Sequence, residues 1–265
     1  MNSITNLPEK VQQQINKVSE VAGYLWEREW AERNAGNISI NLTDLFEGEK
    51  LENPERVVDF NFPKEAAGLI IFVSGTGCHL RHLINRVEEA ACIIVINEQA
   101  NGYSIVWGGA KENFRPTSEL ISHVKIHLFN AENNPSHKTI VHTHPIELIV
   151  MSHHPFFQEE EKLNHGLWKM CPEIRVFVPR GVNCAPYALP GTEDLADLTI
   201  KGLQNRDVVL WEKHGALASG EDAERAFDYL DVANKGAKLL LTAWSAGFEP
   251  IGLTGAELKD LEQFI

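Results

Sequence analysis

ACIIVINEQANGYSIVW, residues 91–107, holds two apolar runs, Ala91 to Ile96 and Tyr103 to Trp107, on either side of Asn101-Gly102. Asn-Gly supplies the positive backbone φ of a tight hairpin turn, so the stretch predicts two adjacent antiparallel strands. Upstream, Ala67 to Ser74 is rich in Ile and Val and ends at Gly75-Thr76-Gly77, as a buried strand running into a tight turn does. Further back, Ile38, Ile40 and Leu42 alternate with period two behind the loop Asn34-Ala35-Gly36-Asn37. Before that loop, Leu7, Val11, Ile15, Val18, Ala22 and Leu25 recur at three- and four-residue steps, one face of a helix from about Pro8 to Ala31.

Downstream, Thr117-Ser118-Glu119 opens a helix to about Asn130, with either hydroxyl able to cap it. Lys138 to His144 reads as a strand, Ile146 to Met151 as a helical piece and Glu173 to Val178 as another strand. Asp207 to Leu210 and Ala216 to Ala218 form a further strand pair, and a final amphipathic helix spans about Ala223 to Trp244. No repeat or linker interrupts the 265 residues. The expectation is an α/β fold, a layered single domain over 1–265 with a central, mostly antiparallel sheet flanked by helices and an N-terminal helical extension over about 1–33.

Hydrophobic residues make up 43% and charged residues 23%, a globular composition. The net charge of −13 repels a polyanion, so nucleic acid is not an expected partner; a small phosphorylated metabolite is not excluded, because a few backbone N–H groups can hold a phosphate inside an acidic protein. Met1 to Lys10 has neither a basic start nor an apolar run, and no apolar stretch approaches the roughly 20 residues of a membrane span. A cytoplasmic location with no membrane partner is expected. Cys78, Cys92, Cys171 and Cys184 lie apart with no CxxC pair, which leaves any metal to histidine and carboxylate.

His142 and His144, one residue apart in a strand, leave the same face about 6.5 to 7 Å apart at the backbone, close enough to share an ion. His214, in the polar interruption Glu212-Lys213-His214-Gly215 between two strands, could add a third imidazole; three nitrogens and an open position are the pattern of a catalytic zinc. His123 and His127 lie four apart on one helix but lack the glutamate of HExxH, and read as surface or interface histidines. His153 and His154 are adjacent and diverge. Glu119 at a helix start complements the helix dipole or, if it faces the metal pocket, moves a proton. Thr117 and Ser118 offer hydroxyls to an anion. Asn34 to Asn37 and Ser74 to Gly77 combine glycine with short polar side chains in the same way, as ordinary turns also do.

The ordered set Glu32-Arg33-Asn34-Ala35-Gly36-Asn37-Ile38-Ser39, Val73-Ser74-Gly75-Thr76-Gly77, Pro116-Thr117-Ser118-Glu119-Leu120, Val141-His142-Thr143-His144-Pro145 and Lys213-His214-Gly215 closely resembles the zinc-dependent class II aldolases of the sugar-phosphate type, over nearly the whole chain. The resemblance implies one Zn2+ per subunit on His142, His144 and His214, and Glu119 as acid/base, able to touch the metal in the empty site. It implies a phosphate cradle of Asn34, Asn37, Thr76, Gly77, Thr117 and Ser118, with Thr76 keeping the hydroxyl where a relative carries Ser. It implies a homotetramer in which Glu173 reaches the site of an adjacent subunit. The implied reaction is retro-aldol cleavage of a small phosphorylated ketose in carbohydrate degradation. Glu119 then serves the enediolate and Glu173 the aldehyde end, assignments that the residues alone allow to be exchanged.

The alternatives are a related sugar-phosphate aldolase or 4-epimerase, a Schiff-base aldolase, a zinc hydrolase, and a non-catalytic module like the adducin head. No lysine stands in an apolar strand as a Schiff-base enzyme requires. A hydrolase needs no three phosphate-type loops, and the retained histidine trio and Glu119 speak against a non-catalytic role.

Overall fold

The computed structural model describes residues 6–46, 51 and 54–265, so the first five residues of the expected N-terminal extension lie outside it. The strands are β1 (Asn37–Asn41), β2 (Val57–Asp59), β3 (Ile70–Ser74), β4 (Ala91–Ile96), β5 (Gly102–Gly108), β6 (Thr139–Thr143), β7 (Val182–Ala185), β8 (Val208–Trp211) and β9 (Gly215–Gly220). The helices are α1 (Glu9–Glu27), α2 (Val87–Ala90), α3 (Leu120–Asn133), α4 (Ile146–Ser152), α5 (Pro155–Gln158), α6 (Glu160–Trp168), α7 (Pro172–Phe177), α8 (Glu193–Leu203), α9 (Ala223–Ser245) and α10 (Gly255–Asp260).

The strands form one sheet in the order β2-β5-β4-β3-β1-β6-β9-β8-β7, antiparallel throughout except for the parallel β7–β8 edge. The hairpin expected at Asn101-Gly102 joins β4 to β5, with Ile96 opposite Tyr103 and a bulge between Ile93 and Ile94. Alternation along the strands divides the core. Ile38, Ile40, Phe72, Ile93 and Val141 pack with the buried faces of α1 and α9 on one side. Ile71, Val73 and Ile94 on the other side meet α3, and Ile140, Val209 and Leu217 meet α3 and α8. The result is the expected layered α/β domain, with helices on both faces of a mostly antiparallel sheet. Among the described residues no helix is long and apolar enough to cross a membrane.

Three elements depart from expectation. Helix α1 stops at Glu27 rather than Ala31, because Glu29 takes a left-handed φ of 63° and the N–H groups of Glu29 and Trp30 turn back to the Trp26 and Leu25 carbonyls (3.1 and 3.0 Å); the Trp30 carbonyl then accepts from the Thr143 hydroxyl (2.7 Å) and the His144 N–H (3.0 Å). Glu173 to Val178 is not a strand: Pro172 occupies the first turn of helix α7, where its fixed φ suits helix entry, and Ile174 buries against Gly236 of α9. Strand β6 ends at Thr143, so His144 lies just past the strand rather than within it. β7 and α8 carry no expectation from the sequence.

Candidate metal centre and anion pocket

The imidazoles of His142, His144 and His214 converge at the open end of β6 and β9. Their ring centroids are 5.3, 5.0 and 5.3 Å apart pairwise, and one nitrogen from each lies within 4.8 Å of the others. Among the described residues this is the one cluster of that kind. Each ring is aimed by a different device. His142 Nδ1–H donates to the Ala216 carbonyl on β9 (3.0 Å), which leaves its Nε2 lone pair free. His144 is fixed by its backbone bond to Trp30, and its Nδ1–H donates to Glu32 Oε1 (3.0 Å), again freeing Nε2. His214 sits in the β8–β9 turn behind Lys213, whose φ of 61° is left-handed; the Lys213 N–H is held by Ser152 Oγ (2.8 Å).

Gly215 makes the convergence possible. A Cβ there would stand 2.5 Å from the Thr143 carbonyl oxygen and 2.8 Å from carbons of both His142 and His144. Burial holds His142 well below the usual histidine range and pushes His214 down to about 4, so both are neutral and free to ligate. The donor set fits a divalent cation: three imidazoles, two oriented by carbonyl and carboxylate acceptors, and a buried His214 Nδ1 with no hydrogen-bond partner.

Beside the trio, Glu119 stands at the N-cap of α3 with only 5% of its surface exposed. Asn37 Nδ2 donates to its Oε2 (2.8 Å). Burial raises the Glu119 pKa, against the opposing pull of the Asn37 bond and of the positive charge His144 carries when protonated. The notional dipole role is therefore secondary, since the carboxylate is spent on Asn37 and makes no capping bond to α3.

Three loops close the pocket, a cavity of about 180 Å³ lined by Asn34 to Asn37, Gly75 to Gly77, Thr117 to Glu119 and the three histidines. Two backbone bonds lock the second loop to the third: Thr76 N–H donates to the Arg115 carbonyl (3.0 Å) and Thr117 N–H to the Ser74 carbonyl (2.9 Å). Gly36, at φ 76°, passes so close to β6 that a Cβ would meet the His142 carbonyl oxygen at 2.7 Å. The lining is rich in amide, hydroxyl and backbone N–H donors, as an anion requires.

All the residues expected at the site line this one pocket except Glu173, which is exposed on α7, accepts a bond from the Cys171 thiol and does not line the pocket of its own chain. His123 and His127 are not surface residues: both are buried (0% and 1% exposed) because Ser39 of β1 faces α3 and bonds both rings. His153 and His154 are exposed and lie outside the pocket. Two contributors stand in the quoted motif Glu32 to Ser39 but carry no role in the sequence reading: Glu32 as the partner of His144, 112 positions away, and Ser39.

The family model described as Class II Aldolase and Adducin N-terminal domain matches residues 16–241. A rhamnulose-1-phosphate aldolase of Bacteroides thetaiotaomicron is 40% identical over 98% of this chain and 97% of its own. A protein of the same name from Listeria welshimeri is 30% identical over 86% of this chain and 82% of its own. Among solved structures, a sugar-phosphate aldolase from Thermotoga maritima superposes with a TM-score of 0.79 at 31% identity, over 92% of this chain and all of that one. An L-fuculose 1-phosphate aldolase shares the fold, with a TM-score of 0.62 at 21% identity over 97% of each chain.

Proposed function

Because the chain belongs to the class II aldolase and adducin N-terminal domain family, we propose that it is a lyase that cleaves L-rhamnulose 1-phosphate to dihydroxyacetone phosphate and L-lactaldehyde in rhamnose catabolism. The observation that carries this reading is the convergence of three imidazoles, a buried carboxylate and a donor-lined pocket in one place. Full-length likeness to proteins named rhamnulose-1-phosphate aldolase selects the sugar.

His142, His144 and His214 hold one zinc ion per subunit, and when bound the zinc supplies Lewis-acid stabilisation of the negative charge that develops as the carbon–carbon bond breaks. The side chains of Asn34, Asn37, Thr76, Thr117 and Ser118 and the backbone at Gly77 hold the phosphate, which anchors the ketose with the carbons that become the enediolate toward the histidine trio. Neutral donors suit this task in a chain of net charge −13, since they bind phosphate without a salt partner.

Cleavage removes the proton of the carbon-four hydroxyl, makes that carbon an aldehyde, and leaves the bonding pair on an enediolate spanning carbons two and three. Glu119 delivers a proton to carbon three, releasing dihydroxyacetone phosphate; the raised pKa that burial gives it favours the protonated form this step needs. The partner subunit's Glu173, in a cytoplasmic homotetramer, assists at the aldehyde end. Its exposure on α7, outside the pocket of its own chain, agrees with a role across an interface.

The test is product analysis after incubating purified, zinc-loaded protein with a panel of 1-phosphoketoses and 5-phosphopentuloses. Dihydroxyacetone phosphate and L-lactaldehyde from L-rhamnulose 1-phosphate are expected. An epimerised pentulose phosphate with no triose phosphate, or no scission of any 1-phosphoketose, overturns the reading.

A further inference from the structure

Behind Glu119 the polar side chains continue inward past Asn37, through the layer between α3 and β1. Asn37 Oδ1 is bonded to His123 Nε2, His123 Nδ1 lies 2.7 Å from Ser39 Oγ, and Ser39 Oγ lies 2.8 Å from His127 Nε2. Asn37, Ser39, His123 and His127 are all buried. Both imidazoles are therefore neutral, each with one N–H and one lone pair, and burial pushes both down to about 3.

Neutral rings, with the buried Ser39 hydroxyl also giving its proton to one of them rather than leaving it unbonded, allow two directions for the chain. In the first, His127 Nε2–H donates to Ser39, the Ser39 hydroxyl to His123 Nδ1, His123 Nε2–H to Asn37 Oδ1, and Asn37 Nδ2 to the Glu119 carboxylate. Every donor then points toward Glu119. In the second, every bond is reversed, the Asn37 oxygen faces Glu119, and His127 carries a proton on Nδ1. That atom is buried and has no partner, so the reversed chain strands a buried N–H, which costs more than a bare lone pair on an imidazole. The first direction is the one the surroundings support.

Resting on the aldolase reading, we propose that His123 is a positioning residue of the site: its Nε2–H holds the Asn37 amide with the NH2 toward the pocket. One hydrogen of that NH2 is given to Glu119. The other is left for the substrate, since Asn37 also lines the pocket that the aldolase reading gives to the phosphate. An amide turned over would present its oxygen to the phosphate, repelling it, and could be bonded by Glu119 only while that carboxyl is protonated. Ser39 and His127 act one step further back, fixing the tautomer of His123.

The test uses the zinc-loaded enzyme with 15N-labelled histidine. In the wild type, both His123 and His127 should show the pattern of an Nε2–H, Nδ1-lone-pair ring; an Nδ1–H ring at His123 overturns the proposal without reference to activity. His123→Leu, which keeps bulk but removes the donor, should retain full zinc occupancy, with kcat lowered by about tenfold to a hundredfold and KM for the phosphoketose raised. His123→Gln, which restores an N–H donor, should recover most of both. A merely packing role predicts the opposite split, a lower unfolding midpoint with kcat and KM of the folded, zinc-loaded enzyme unchanged, and that result overturns the proposal. If His123→Leu does not fold, the His123→Gln kinetics and the wild-type tautomers still decide. Wild-type protein that cleaves no phosphoketose refutes the function beneath the proposal, whereas wild-type cleavage with unaltered His123→Leu turnover refutes the proposal alone.

Discussion

Gly215→Ala places one methyl group where the structure has least room for it. Gly215 does not have a left-handed φ, so the cost is steric and not conformational. The new Cβ would sit 2.5 Å from the Thr143 carbonyl oxygen and 2.8 Å from His142 Cε1 and His144 Cδ2. Contacts under 3.0 Å do not persist, so β6 and β9 must part by roughly 0.5 Å, and Thr143 cannot give way alone because its hydroxyl is bound to Trp30. Metal–ligand distances tolerate only about ±0.2 Å, so a shift of that size at the strand ends moves two of three nitrogens out of range. Zinc affinity should fall about tenfold to a hundredfold, and the metal-free protein should lose about 1 to 3 kcal/mol to overpacking. Competition titration against a chromophoric chelator measures the first, and the urea midpoint of metal-free protein the second. Gly255→Ala, whose Cβ meets nothing within 4 Å, is the matched control and should change neither. Wild-type zinc affinity and an unshifted midpoint in Gly215→Ala would refute the claim that close approach at this glycine builds the trio.

Glu119→Ala should keep the fold and near-stoichiometric zinc but lose most turnover, whereas His144→Ala should lose metal and activity together; metal analysis alongside the cleavage assay separates the two. Glu32→Ala removes the acceptor that orients His144 and should weaken zinc binding by about tenfold or more, read by the same chelator competition. Inactive Glu119→Ala and Glu173→Ala proteins, unfolded together and refolded as mixed tetramers, should regain about a quarter of wild-type activity if each site draws Glu173 from a neighbour, and none if it does not. The folded-state pKa of His127 lies near 3, below its unfolded value, so as pH falls the unfolded chain takes up the proton first. Its contribution is complete above about pH 6.5 and is lost toward pH 3, at about 1.4 kcal/mol per pH unit. Denaturation of His127→Gln between pH 4 and 6 should show a pH slope shallower than wild type by about that amount.

What the sequence shows of this molecule follows the range of the interactions involved. The β4–β5 hairpin is legible because Asn101-Gly102 and the two flanking runs are contiguous, and α1 because its buried positions repeat along one helix face. His142 and His144 are legible as a pair for the same reason, though the second ring is aimed by its bonds to Trp30 and Glu32 rather than by the strand. Local pattern fails where the deciding contact is distant. The run Glu173 to Val178 is too short for its β-branched residues to settle, and Pro172 and the packing of Ile174 on α9 make it a helix. His123 and His127 look like surface histidines on α3 until Ser39, 84 and 88 positions away, is seen between them. The HxH spacing with His214 and the glycine-bearing loops suggest a metal and an anion, the resemblance implies that these are zinc and a phosphate, and burial, tautomers and the shared pocket give the physical grounds.

An anomalous difference map recorded above and below the zinc absorption edge, from crystals of zinc-loaded protein, bears most directly on the centre. One strong peak per chain should appear, about 2.0 to 2.1 Å from a single nitrogen of each of His142, His144 and His214. A peak at other side chains, or rings of the trio with no peak between them, would contradict it.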